Sequence, residues 1–317
     1  MAEALASAVI DAPVEAVWEI VRDFGALPSW VPGLGPCRIE DGLAPDAVGC
    51  VRAFSLGDGT PVSERLTMLD DSCYAFAYTF IMPAFPVEDY QATFQLIPVT
   101  NGDRTFAQWS ARFDEAPEDK GKYERIISQN VFAAGLAALG ERARGRKAPP
   151  GAVRWQGFRP AKVFCSSVLP VPVNLVWEQM RDFASMDQWH PDLTDMHMLD
   201  GARSDKVSGV RDFRLGDGRL QEQLTLLCDR TRAFRYKINA SPMPWLNYHA
   251  GVQLCPVTAA DATFAVWTAD WIAAPNDDAE LIPQIHQGVF QLAFDTLGAQ
   301  LAGQDGQPDR TQGRTKP

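Results

Sequence analysis

The sequence predicts an α+β protein of two tandem domains, each a curved antiparallel sheet wrapped around a long C-terminal helix, with two short helices besides. Two observations support this fold class. Nearly the whole chain is an internal duplication, and each copy runs from one strand through a helix pair and several alternating segments to a long amphipathic helix. At 317 residues, the chain is long enough for two domains that each bury a core.

The duplication is visible by direct comparison of the two halves. VWEIVRDFGALPSW at 17–30 returns as VWEQMRDFASMDQW at 176–189, 159 residues later, and the turn LGDG at 56–59 returns at the same offset. Beyond this turn the second copy lacks one residue, so Tyr90 corresponds to Tyr248 at an offset of 158. One long period indicates duplication of a whole domain, whereas a solenoid would show several short ones.

The composition between and after the copies predicts the domain boundaries. We expect a first domain at 1–143, a linker at 144–160, a second domain at 161–302 and a disordered tail at 303–317. The linker contains the basic, Pro- and Gly-containing stretch RGRKAPPGAVRWQGFRP, which is a poor helix or strand former. The tail is polar and lacks hydrophobic periodicity.

The elements of one copy follow from its hydrophobic periods. A short strand at 5–10 leads through Pro13 into an amphipathic helix at 14–23, because proline suits the first turn of a helix. Five alternating segments predict antiparallel strands, and the Gly-Asp-Gly turn predicts a hairpin between the first two. These segments lie near 50–56, 61–69, 73–81, 89–98 and 104–113. A helix at 120–142 closes the copy, with one apolar stripe along its length.

These motifs carry a family resemblance. The run VGCVRAFSLGDGTPVSERLTMLDD, with WHP and SPMPWLNY in the second copy, resembles the polyketide-cyclase/dehydrase branch of the START-like (SRPBCC) helix-grip superfamily. The chain is also distantly similar to the abscisic acid receptors and to didomain aromatase/cyclases. The resemblance implies a cavity between sheet and long helix that takes a small hydrophobic ligand. It does not select a chemistry, since one scaffold serves carriers, receptors and enzymes.

Side chains alternate across a strand, so a period of two predicts which of them face the cavity. In the segment from Tyr90 the apolar set faces inward, and its counterpart from Tyr248 places His249 on the outer face. The same reasoning turns Tyr78 and Tyr236 inward. Phe80 shares the face of Tyr78.

One carboxylate per copy falls on an otherwise apolar face. Glu64 is expected to share its face with Leu66 and Met68, and Glu222 with Leu224 and Leu226. Two interpretations stay open. The carboxylate faces the pocket, where burial raises its pKa and allows proton exchange, or it pairs with Arg52 or Arg211 at a wet strand end. The similarity to the abscisic acid receptors favours the pocket.

Three further features could belong to the site. His190 in WHP corresponds to Val31 of the first copy, so it would serve the second domain alone, either in proton transfer or as a cap of the turn. Trp109 and Trp267 are either core or pocket wall. The Pro-rich segments at 82–86 and 241–245 are lids over the cavities or plain hairpin loops, and the second of them contains Trp245.

Composition excludes several function classes. The net charge of -11 and the pI near 4.9 speak against nucleic acid. The sequence shows no signal peptide and no spanning apolar stretch, so we expect a cytoplasmic protein without membrane insertion. Six cysteines without a C-x-x-C pair predict reduced thiols and no metal site. Without a P-loop or a dinucleotide-binding glycine motif, we expect no cofactor.

The resulting functional hypothesis is a cofactor-independent cyclase or dehydratase, of lyase or isomerase type, acting on a polyketide-like or aromatic carbonyl compound. The predicted catalytic residues are Glu222, His190, Tyr236 and Tyr248. The predicted ligand-binding residues are Glu64, Tyr78, Tyr90, Trp109, Phe80, Trp267 and Trp245. The alternatives are a non-catalytic carrier or sensor of a lipid, isoprenoid or aromatic ligand, and a protein in which only the second domain works. The oligomeric state stays open.

Overall fold

Each copy of the duplicated sequence forms one seven-stranded antiparallel sheet closed by a C-terminal helix, in a computed structural model that describes residues 1–40, 42–150 and 161–304. The chain divides into two units, residues 1–160 with 257–260, and residues 161–256 with 261–317. The predicted α+β fold of two tandem helix-grip domains is confirmed. Residues 151–160 of the predicted linker and 305–317 of the predicted tail lie outside the described residues.

The first sheet has the strand order β1-β7-β6-β5-β4-β3-β2, so the first strand pairs with the last. Its strands are β1 Ala2–Ile10, β2 Arg38–Ile39, β3 Val51–Ser55, β4 Pro61–Asp70, β5 Ala75–Met82, β6 Val87–Val99 and β7 Arg104–Glu115. All six pairings in this order are antiparallel. Strands β2 to β7 form a meander in which each strand pairs with the next in the sequence, and antiparallel neighbours of this kind need only short connections.

The helices of the first domain cover one face of this sheet. Helix α1 (Val14–Val21) is followed by a 3₁₀ turn at Phe24–Ser29. The long C-terminal helix consists of α2 (Lys122–Ile126), a π-helical segment (Ile127–Ala133) and α3 (Ala134–Ala143). The predicted apolar stripe of this helix is confirmed by its fully buried members, which are Ile127, Phe132, Leu136 and Leu139. The π turns were not predicted, because hydrophobic spacing does not resolve one inserted residue.

The second domain repeats the first in topology. Its strand order is β8-β14-β13-β12-β11-β10-β9. Its strands are β8 Val163–Leu169, β9 Leu193–Met198, β10 Val210–Leu215, β11 Gly218–Cys228, β12 Ala233–Ala240, β13 Leu246–Val257 and β14 Ala262–Ile272. Its helices are α4 Val173–Met180, α5 Pro275–Pro283 and α6 Leu292–Gln304, with a π-helical segment Gln284–Gln291 between the last two. Helix α6 thus continues two residues past the predicted domain end.

The facing predicted for Met68 and Leu226 is wrong. Strand β4 contains a β-bulge between Leu66 and Met68, and β11 contains the same bulge between Leu224 and Leu226. An extra residue in one strand shifts the alternation by one, so the next side chain along the strand turns inward. The residues that pack on the two cores are therefore Leu69 and Leu227.

Candidate functional site

The first domain encloses a cavity of about 100 Å³ between its sheet and its C-terminal helix. An engineered apolar cavity of about 150 Å³ holds benzene, so the space is comparable to one small ring. Most of its lining is apolar. The lining residues are Leu27, Val31, Leu34, Arg52, Phe54, Leu56, Val62, Glu64, Tyr78, Phe80, Ala84, Phe85, Tyr90, Trp109, Ile127 and Val131.

The charged wall of this cavity is a buried ion pair. Arg52 on β3 lies directly opposite Glu64 on β4, and its Nε and Nη2 atoms contact Glu64 Oε2 at 2.6 and 2.5 Å. The third guanidinium nitrogen, Nη1, donates to the Phe24 carbonyl at 3.0 Å, and the guanidinium lies 3.8 Å from the centre of the Phe24 ring. Both of these contacts end on Oε2 of the carboxylate.

This geometry combines the two interpretations of Glu64 that the sequence left open. The side chain lines the cavity, as the pocket interpretation requires, and it pairs with Arg52, as the alternative requires, but the strand end is buried and not wet. Burial raises the pKa of Glu64, and the adjacent Arg52 charge opposes that rise. Because an arginine does not lose its proton in proteins, a neutral Glu64 would leave a buried cation alone, which favours the ionised carboxylate.

Two phenols face the same space. Tyr78 on β5 and Tyr90 on β6 have ring centres 6.2 Å apart. The Trp109 indole N–H donates to the Tyr78 hydroxyl at 2.9 Å. The indole can only donate, so the Tyr78 hydroxyl accepts in this contact and keeps its own proton for donation. Burial raises the pKa of both tyrosines, which keeps them neutral.

The predicted binding residues of the first domain all reach this cavity. Phe80 stacks on Tyr90 with ring centres 4.0 Å apart, and Trp109 stacks on Phe132 of the C-terminal helix at 4.8 Å. Phe85, in the predicted lid segment, is half-buried and lines the cavity. The fold therefore brings Glu64, Tyr78 and these rings together at one place.

The second domain has the same polar groups as the first, but its cavity is much smaller. Arg211 Nε and Nη2 contact Glu222 Oε2 at 2.7 and 2.5 Å, and Arg211 Nη1 donates to the Phe183 carbonyl at 2.8 Å. Burial raises the pKa of Glu222, against the effect of Arg211. The enclosed volume is only about 30 Å³, however. This is room for about one or two water molecules.

Aromatic side chains fill the second cavity. Trp245, in the predicted lid segment, lines it and packs on Tyr248 with ring centres 4.8 Å apart. Tyr236 also lines the cavity and accepts a hydrogen bond from the Trp267 indole at 3.1 Å. Trp267 itself is fully buried and stacks on Phe290, so it belongs to the core behind the cavity and not to its wall.

The geometry does not support the catalytic role predicted for His190. The ring is buried and does not line the second cavity. Its Nε2 lies 3.3 Å from the Val289 carbonyl, and its Nδ1 accepts from the Asp192 backbone N–H at 3.2 Å. Burial lowers the pKa of His190, which favours the neutral ring that these two contacts need. The imidazole therefore fastens its turn to the C-terminal helix. His249 is exposed on the outer face, as predicted.

Arg52 and Arg211 line the two cavities, whereas the sequence predicted them only as possible partners of the glutamates at a wet strand end. A signal was present, because each lies opposite its glutamate across the hairpin that the Gly-Asp-Gly turn closes. Turn position fixes hairpin register, so counting outward from the turn pairs them.

The structure contains a further groove, which shares Phe54 and Val62 with the lining of the first cavity. This groove of about 430 Å³ beside Cys37, Arg38 and Glu40 is open to solvent and contains none of the predicted site residues. Within the described ranges, no group of three or more His, Cys, Asp or Glu side chains is placed to hold a metal ion. No helix in the described part of the chain is long and apolar enough to cross a bilayer.

Comparison with known proteins agrees with this architecture. A family model described as polyketide cyclase / dehydrase and lipid transport matches residues 1–144 and again residues 160–302.

Three solved structures illustrate the similarity. A Thermobifida fusca protein solved by NMR is 34% identical, over 45% of this chain and 93% of that one, with a TM-score of 0.41. The XoxI protein of Bacillus cereus is 26% identical over 46% of this chain and 97% of that one, with a TM-score of 0.41. The di-domain ARO/CYC BexL from the BE-7585A biosynthetic pathway is 12% identical, over 97% of this chain and 100% of that one, with a TM-score of 0.40.

Proposed function

The chain belongs to the polyketide cyclase / dehydrase and lipid transport family, and from this premise we propose that its first domain binds a small, mainly apolar carbonyl compound and catalyses a cofactor-independent cyclisation or dehydration. One observation carries the proposal. A ring-sized, mainly apolar cavity contains a single carboxylate, held by a buried arginine, together with two neighbouring phenols.

Binding is the better supported half of this proposal. Ligand sites are typically apolar clefts with a few convergent polar groups that fix the orientation of the ligand. The cavity of about 100 Å³ suits a single-ring aromatic or similarly small compound, and a polycyclic polyketide would need the lid segment to open. The Tyr78 hydroxyl, which accepts from the Trp109 indole, would donate its own proton in a hydrogen bond to a carbonyl oxygen of the ligand.

The same groups can run acid–base chemistry. Glu64 would take a proton from the carbon beside the carbonyl, while the phenol pair stabilises the negative charge that develops on the carbonyl oxygen. The resulting carbanion attacks a second carbonyl carbon of the same molecule and closes a ring. Glu64 then returns its proton to the new alkoxide oxygen. Removal of a further proton, with loss of the hydroxyl as water, completes a dehydration.

The alternative function is a carrier or sensor that binds the same ligand without changing it. The close ion pair between Arg52 and Glu64 favours this alternative, because a carboxylate stabilised by a buried cation is a weaker base.

A matched pair of substitutions tests the proposal. Compounds extracted from the protein purified from its own host would be incubated with fresh protein, with Glu64→Gln and with Glu222→Gln, and followed by mass spectrometry. We expect conversion by the wild type and by Glu222→Gln, and loss of at least about 100-fold in rate for Glu64→Gln, the lower range for general base catalysis. Binding without conversion by the wild type would support the carrier. Equal conversion by all three proteins would eliminate Glu64 as the base.

A further inference from the structure

We propose that Trp245 is the residue that closes the second cavity, so that the native chain takes one single-ring ligand, in its first domain. This inference rests on the proposed function and goes beyond it, because it assigns the difference in ligand capacity between the two domains to one side chain.

The two domains differ in the side chain at the position of Trp245. At the offset of 158, Trp245 corresponds to Val87 of the first domain. The backbone supports this alignment, because Asp89 and Asn247, each two residues further on, both have a positive φ, of 50° and 53°. The second domain therefore carries an indole where the first carries an isopropyl group. Val87 is buried in the core of the first domain and is not part of the cavity lining.

The other lining positions change less in side-chain size than the exchange of Val87 for Trp245. His190 stands in place of Val31 but does not line the second cavity. Ile238 stands in place of Phe80 and would enlarge the second cavity, and Leu220 adds a single methylene relative to Val62. The polar groups are the same in both domains. The volume nevertheless falls from about 100 to about 30 Å³, and Trp245 contributes the largest added side chain to that wall.

The position of Trp245 suits a plug more than a core residue. It lies in the loop before β13, it is half-buried, and its ring packs on Tyr248 and, at 5.8 Å between ring centres, on Trp271. Its indole N–H is buried without a hydrogen-bond partner in the described structure. Packing alone therefore holds the ring in the cavity, and replacing the ring breaks no hydrogen bond.

Reciprocal substitutions test this inference on the full chain. The probe is 4-fluoroacetophenone, a single ring with one carbonyl acceptor, followed by ¹⁹F NMR. We expect one bound resonance in the wild type, a second one in Trp245→Val, and loss of the first in Val87→Trp. The loss should exceed about tenfold in affinity, since apolar pockets discriminate one methylene by roughly 10–200-fold. Circular dichroism checks folding, and Trp245→Phe serves as a milder opening variant.

The outcomes separate this inference from the function beneath it. Two bound resonances in the wild type, or no second resonance in either folded Trp245 variant, would overturn the role of Trp245 and leave binding in the first domain intact. No bound resonance in any of the proteins would overturn both, because the proposed function requires the first cavity to accept such a probe.

Discussion

At the scale of residues, the wall of the first cavity contains a buried ion pair between Arg52 and Glu64. Two opposite charges lie at 2% and 7% side-chain exposure, where neither has water to solvate it. Such a pair contributes little net stability, yet each member depends on the other, because a lone buried charge is costly. The pair therefore fixes one ionised carboxylate in an apolar wall, at the place where a ligand would meet it.

Removing the arginine should expose this dependence. Arg52→Met is expected to destabilise the first domain by about 3–5 kcal/mol, since it leaves Glu64 buried without a partner. Arg52→Met combined with Glu64→Leu should recover most of that loss. Urea denaturation followed by tryptophan fluorescence measures both, with Arg211→Met as the matched change in the second domain. An Arg52→Met variant as stable as the wild type would show that the buried Glu64 does not depend on Arg52 as its charged partner.

The sequence identified most of the site side chains but not their states. Period-two facing placed Tyr78, Tyr90 and Glu64 on the cavity wall, because alternation is a property of the strand itself. Facing alone did not place Arg52 on that wall, where only the register of the hairpin indicates it. It also could not show that His190 Nε2 lies 3.3 Å from the Val289 carbonyl, because that contact joins segments far apart in the chain.

At the scale of elements, the C-terminal helix of the first domain lies close against the last strand of its sheet at Gly135. A Cβ built there would lie 2.8 Å from Cζ3 of Trp109, the residue whose indole orients Tyr78. Glycine is therefore needed for close approach of helix and sheet, although it is a poor helix former.

Two glycine substitutions on the same helix distinguish the effect of close packing against the sheet from the effect of helix propensity. Gly135→Ala should destabilise the first domain by about 1–3 kcal/mol through overpacking against Trp109. Gly140→Ala, where the added Cβ meets nothing within 4 Å, should stabilise it by about 0.5–1 kcal/mol. Thermal unfolding of both variants gives the comparison. Stabilisation by Gly135→Ala would refute the close contact.

Each domain also ties its first helix to the turn between two strands. Asp71 accepts hydrogen bonds from the Trp18 indole at 2.8 Å and from Arg22 Nε at 2.7 Å. Asp229 makes the same contacts to Trp177 and Arg181 in the second domain. The hydrogen bond from Arg22 lowers the pKa of Asp71, with a smaller contribution from Trp18.

The hydrogen bonds to Asp71 predict how the stability of the first domain depends on pH. The folded-state pKa of Asp71 lies below its unfolded value near 3.9, so its contribution is complete above that pH and is lost as the pH falls through the folded value. Asp71→Asn should cost about 0.5–1 kcal/mol at pH 7, because the groups are largely exposed, and less below pH 4. Urea unfolding at pH 7 and pH 3.5 measures the difference. An equal loss of stability at both pH values would contradict the assignment of an ionised Asp71 to these contacts.

The strands and helices were predictable because their hydrophobic periods are strong, and the exceptions have local causes. The bulges in β4 and β11 turn Leu69 and Leu227 inward, and an alternating pattern alone does not mark an inserted residue. The two-residue strand β2 (Arg38–Ile39) is too short to give a period at all.

At the scale of the whole molecule, duplication has produced two domains of one fold with unequal interiors. One alternative drawn from the sequence made the second domain the working half, because only that domain has His190. The cavity volumes point the other way, since the first domain keeps about 100 Å³ and the second about 30 Å³. Volume depends on how Trp245 packs against its neighbours, which the sequence does not specify.

Native mass spectrometry of the full chain purified from its own host tests most directly whether the first cavity holds the ligand. The account predicts one small molecule per chain in the wild type and in Glu222→Gln, and none in Val87→Trp, where the added indole fills the first cavity. A bound molecule that survives Val87→Trp, or a wild-type chain that carries none, would contradict it.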